Sequence, residues 1–192
     1  MERETEQEIA RGTSRSSDAM RAVKAEFLAM KNGIVADALR KAGSPFRLIF
    51  GLNLPQIAEI AAAHGTDNAL AEELWANVTV RESMLLAPML VDTASFTPAD
   101  ARRWCDAVNC TEVADVLCHR LLRHLPFAAV LARQLLETGN VTDEYTGLRL
   151  FLNISRTCPQ AAEAAARTHI GSSDRRNALL AADIIDRVCP NA

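Results

Sequence analysis

The chain has 192 residues, 49% apolar and 23% charged, which is ordinary globular material and enough for one domain with a sizeable core. Only 5% is aromatic and the apolar mass is mostly Ala and Leu, which suits closely packed helices and argues against a sheet sandwich. The net charge of −3 argues against indiscriminate binding to nucleic acid, while leaving room for a basic strip on one face.

Residues 1–16 are polar and read as an arm outside a single domain over residues 17–192. The opening MERETEQEIARG lacks the apolar stretch of a secretory signal, and no apolar run reaches the length of a membrane span, so a cytoplasmic chain away from membranes is expected. Ser17 is placed to cap a helix running to about Met30, broken at Asn32-Gly33. A shorter helix over 34–41 ends at Gly43 and Pro45, and the apolar residues 46–51 read as a buried connection. Asn53 and Pro55 open a helix that closes at His64-Gly65. Asp67 caps the helix of Leu70, Leu74 and Trp75. Thr79 and Glu82 have the spacing of a capping box for a helix bearing Met84, Leu85, Met89 and Leu90, with a kink expected at Pro88. Thr97, Pro98 and Asp100 give the cleanest start signal in the chain. Asn109 or Cys110 opens the next helix. Pro126 begins another, which Gly139 closes, and Thr142, Pro159 and Ser172 or Ser173 mark the last three starts.

The pattern predicts about eleven helices of ordinary length. Starts near 54, 80, 110, 143 and 173 recur roughly every 30 residues, a spacing typical of stacked helical pairs. Rhythm alone leaves an irregular helical bundle equally open. Five cysteines without CxxC spacing read as reduced thiols, and Cys105, Cys110, Cys118 and His119 match no zinc pattern, so neither metal nor cofactor is expected. Arg102, Arg103, Arg120, Arg123 and Arg133, with His119 and His124, form the densest basic stretch, either a solvated face or a surface for nucleic-acid backbone.

Leu74-Trp75-Ala76-Asn77, a polar turn, and then Arg81-Glu82-Ser83-Met84-Leu85-Leu86-Ala87 make the first of four linked patterns. Trp104 follows on a later helix, then Thr111-Glu112-Val113-Ala114-Asp115, then Tyr145-Thr146-Gly147-Leu148-Arg149. In these residues the chain resembles the DNA alkylation repair family, HEAT-like helical-repeat proteins whose best-known members are alkylpurine DNA glycosylases. The resemblance implies an all-α, HEAT-like solenoid, a monomer, with double-stranded DNA as partner. It implies excision of cationic N3- or N7-alkylated purines by hydrolysis of the N-glycosidic bond.

A cationic purine leaves as a neutral base, so the reaction needs little acid catalysis. One carboxylate can stabilise the sugar cation and position water, where O-glycoside hydrolysis uses two. The resemblance assigns that carboxylate to Asp115. Arg149 with Tyr145 would hold the phosphodiester. Arg156, on the same helical stripe as Arg149, and Arg120 and Arg123 would contact DNA. Thr111 stands where active family members carry a Trp that packs on the deoxyribose. The alternative is therefore an inactive relative, either binding DNA or serving as a protein-interaction scaffold. Asp115 itself reads equally as a structural carboxylate paired to His119 or to an arginine.

Overall fold

A computed structural model describes residues 18–189 of the chain. The polar arm and the Ser17 cap fall outside the described residues. Among these residues are eleven α-helices, two short 3-10 turns and one isolated parallel bridge, Leu48 to Val80. None of the helices is long and apolar enough to cross a membrane. They fall into two compact units, one ending at Asp92 and one beginning at Thr93.

The first unit holds α1 (18–29), α2 (Gly33–Lys41), α3 (Leu54–His64), α4 (Asn68–Ala76) and α5 (Arg81–Leu86). Its core includes Val23, Phe27, Leu52, Ile57, Ile60, Leu70, Leu74, Met84 and Leu85, each at most 1–2% exposed. Burying each such side chain is worth about 1.5–3 kcal/mol. Asn53 and Gln56 form a reciprocal capping box with Pro55 in the first turn of α3, and the Asp67 side chain caps α4.

The expected Thr79–Glu82 capping box does not form. Val80 precedes α5 and has no side-chain acceptor to offer. Glu82 turns inward, fully buried, and accepts the backbone N–H groups of Phe50 at 3.0 Å, Gly51 at 2.9 Å and Leu52 at 3.3 Å. Arg81 Nη1 balances its charge at 2.9 Å and also donates to Leu52 O at 2.9 Å. The apolar connection 46–51 is thus pinned to α5 by a carboxylate. Gly51 is required there: its φ is 84°, and a Cβ would sit 2.2 Å from Asn32 O. Pro88 ends α5 instead of kinking it. The α-helix stops at Leu86 and a 3-10 turn over Ala87–Met89 carries the proline, which lacks an N–H for the α pattern.

The second unit holds α6 (Pro98–Asp106), α7 (Thr111–Arg120), α8 (Ala128–Leu136), α9 (Val141–Ile154), α10 (Pro159–His169) and α11 (Arg175–Val188), with a 3-10 turn over Leu122–His124. Thr97 and Asp100 form the expected capping box. Three starts differ from expectation. α8 begins two residues after Pro126, behind Phe127. Asn140 caps α9 in place of Thr142, and Asp174 caps α11 in place of Ser172 or Ser173. At α9 and α11 the Asn or Asp provides the oxygen that accepts two first-turn N–H groups, whereas Phe127 gives α8 no side-chain cap.

Helix α9 is central and packs against α7, α8, α10 and α11. Gly147 allows the α8 contact, since a Cβ there would lie 2.8 Å from Ala132 O. Asn177 Nδ2 reaches Val141 O near the start of α9, and Arg187 Nη1 reaches Leu152 O near its end, so α9 and α11 run parallel. α7 joins them in the same sense, since Thr111 and Val141 share a cavity wall while Cys118 Sγ reaches Thr146 O. Starts at Leu54, Arg81, Thr111, Val141 and Arg175 keep the spacing seen in the sequence.

Candidate functional site

Asp115 sits on α7 between Ala114 and Val116, both buried, and its carboxylate emerges toward α9. Tyr145 and Arg149 are four residues apart on α9 and so share one face. The Tyr145 hydroxyl donates to Asp115 Oδ1 at 2.9 Å, and Arg149 Nη2 donates to Oδ2 at 3.2 Å. Nη2 also donates to the Tyr145 hydroxyl oxygen at 3.1 Å, closing a three-membered cluster. Arg149 Nε lies 2.6 Å from Oδ1, close enough for charge pairing but off the axis of a hydrogen bond. The guanidinium carbon is 5.8 Å from the Tyr145 ring centre, a cation–π distance. The Asp115 side chain keeps 41% exposure against 26% for Arg149, so solvent reaches the carboxylate.

Burial pushes the Tyr145 hydroxyl above its ordinary pKa, and the Asp115 charge adds to this. Burial pulls Arg149 down, but its hydrogen bond to Tyr145 and the Asp115 charge outweigh that, and the net shift is upward. The pair therefore stays charged at neutral pH on the arginine side. Of the two structural partners that the sequence left open, Asp115 takes an arginine. His119 is exposed, and its pKa is lowered by partial burial and by Arg123, Arg120 and His124.

The remaining sequence-predicted arginines lie at the surface. Arg120 and Arg156 are exposed, and Arg123 is half-buried with its Nε 3.1 Å from His124 Nε2. None of the three forms an ion pair among the described residues. The other end of the basic stretch is neutralised. Arg102 pairs with Asp106 and, at 2.9 Å, with Asp143, and Arg103 pairs with Asp100 at 3.0 Å. The sequence did not point to the Arg102–Asp143 bridge, which joins α6 to α9.

A cavity of about 190 Å³ adjoins the cluster. Thr111 of α7, Val141, Thr142 and Tyr145 of α9, and Arg176 of α11 wall it, with Cys110 at the α7 cap. Sequence reasoning missed it, although the thirty-residue spacing already brings the first turns at 111, 141 and 175 to one level. Both tryptophans are buried, Trp104 edge-on to Phe96 at 5.1 Å, so neither offers a face to a ligand.

The family model described as DNA alkylation repair enzyme matches residues 23–141. The match takes in Asp115 and stops short of Tyr145 and Arg149. No curated protein matches the sequence. A solved structure with a similar fold is described as belonging to a new family of proteins related to the HEAT-like repeat DNA glycosylases with affinity for branched DNA structures. It is 17% identical, with a TM-score of 0.76, over 88% of this chain and 75% of that chain. At that identity the likeness establishes the fold, a HEAT-like helical repeat. With more than half of its residues inside the family match, this chain belongs to the DNA alkylation repair enzyme family.

Proposed function

We propose that this protein binds DNA, duplex or branched, through its basic side chains and excises bases slowly or not at all. The observation that carries this reading is the engagement of both Asp115 oxygens by Tyr145 and Arg149. A bare carboxylate ~4 Å from a sugar cation is worth about 4 kcal/mol at an effective dielectric of ~20. A guanidinium ~3 Å behind it cancels about 2 kcal/mol of that. Thr111 supplies no aromatic surface to hold the sugar. Arg120, Arg123 and Arg156, by contrast, form no ion pair among the described residues, which supports a role in meeting phosphates. The branched-DNA affinity described for the structurally similar protein supports the same partner.

One observation favours a second reading, hydrolysis of cationic N3- or N7-alkylpurines. The Asp115 carboxylate is 41% exposed, and an ionised carboxylate has more acceptor sites than Tyr145 and Arg149 fill, so a water can still be held. A methylated duplex separates the two. We expect wild type and Asp115→Asn to release 7-methylguanine no faster than DNA alone, while wild type retains the DNA on a native gel. Release that depends on Asp115 would replace the binding reading with excision. Failure to retain DNA at any salt concentration would point to a protein partner.

A further inference from the structure

We infer that the groove between α8 and α10 is where two copies of this chain pair, about a two-fold axis that sets α8 of one against α8 of the other. This stands apart from the DNA-binding reading and takes the place of the monomer that the family resemblance implies. α8 and α10 both pack on α9 and leave about 380 Å³ open between them. The floor is Leu136, Ala161, Ala164 and Ala165, and Arg133 and Glu137 stand on the α8 rim. Val130, 49% exposed and one turn before Arg133, adds an apolar side chain at the same edge.

The two rim charges decide the partner. Arg133 and Glu137 have opposite signs and lie one turn apart on α8, yet neither forms an ion pair among the described residues. Arg before Glu is the weaker order for such a pair on a helix. Arg133 Nε turns back to Ala129 O at 3.4 Å instead. Glu137 is the C-cap of α8, where the last carbonyls already place negative charge, so it gains from a cation supplied from outside. A two-fold interface must complement itself, because each contact occurs twice with the partners exchanged. An antiparallel pair of α8 helices meets that condition, with Arg133 of each copy facing Glu137 of the other. DNA would meet Glu137 with like charge, and a partner of one sign would leave one rim charge unmatched. The alanines keep the α10 wall low enough for a helix to approach.

The test measures the mass of the full chain by sedimentation equilibrium from micromolar to millimolar concentration. Wild type should pass from monomer to dimer across that range. Arg133→Glu and Glu137→Arg should each raise the dissociation constant about tenfold or more, because each sets like charges face to face. The double variant should return it to near the wild-type value. Both side chains are exposed, so the reversals spare the packing, and circular dichroism checks this. Ala164→Glu, also at an exposed position, should dissociate the pair by placing a charge in the floor of the groove. A wild type that stays monomeric at millimolar concentration would overturn the pairing. A dimer indifferent to every single variant would place the contact on another face and overturn it too, as would a loss in both reversals that the double variant does not restore. Amide shifts at Ala161 and Ala164 of a monomer given a peptide of residues 1–17 would assign the groove to that segment and overturn the pairing likewise.

Discussion

Glu82 gives its carboxylate to backbone N–H groups about thirty residues earlier in the chain, and Arg81 balances the charge. Removing that charge breaks a buried ion pair by taking away one partner, a change that costs ~3–5 kcal/mol. Glu82→Gln should therefore lower the urea midpoint sharply, and Gly51→Ala should do so too, because its Cβ meets a backbone oxygen at 2.2 Å. An unchanged midpoint in Glu82→Gln would show that the carboxylate does not hold the connection in place. The sequence pattern Thr-x-x-Glu is identical for a cap and for this arrangement. Only the apolar segment passing beside α5 decides between them, and nothing local to Thr79 records its path. Asp115 poses the same difficulty. Its own helix offers His119, yet it pairs with a residue 34 positions away.

The helix caps are the features most legible in the sequence, because a cap and its N–H groups lie within four residues of each other. Asn53, Asp67 and Thr97 each do what their spacing predicts. The starts of α9 and α11 shift by one or two residues because several acceptors compete there and the Asn or Asp wins. At α6 the cap carries a pH signature. The Thr97 hydrogen bonds, and then Arg103, hold Asp100 below the ordinary aspartate value of 3.8. A carboxyl with a depressed folded pKa contributes stability above its unfolded value, and that contribution is lost as the pH falls through the folded value. Thermal melts should thus show α6 support at neutral pH that fades in acid below about pH 4. Thr97→Ala should cost about 1 kcal/mol at pH 7 and less in acid. An equal cost at both pH values would remove Asp100 from the cap.

Across the whole chain, the helical rhythm and the family pattern made the architecture legible, and with it the face shared by Tyr145 and Arg149. The contact of that face with Asp115 depends on how far α7 and α9 slide along each other, which packing sets and composition does not. The distribution of charge is a property of the same scale. Arg102 and Arg103 give their charge to carboxylates of their own unit, so the α6 end of the strip that looks most basic in the sequence is neutralised. Each of Arg120→Gln and Arg123→Gln should flatten the salt slope of DNA binding by about 0.9, whereas Arg102→Gln should leave the slope alone and lower the melting temperature. Equal slopes for all three would mean that the unpaired arginines do not meet phosphate.

Asp115 also works as a tethered competitor. Any anion that takes Arg149 must displace a carboxylate already held at hydrogen-bond distance, with an effective concentration on the order of millimolar or more. A small monovalent ion diffusing in from solution competes poorly against such a neighbour. A polymer already anchored at other arginines does not, because its next phosphate is tethered as well. On the proposed DNA-binding reading, selection for polyanions over simple anions follows from valency and attachment, with no need for a pocket shaped to refuse the smaller ion.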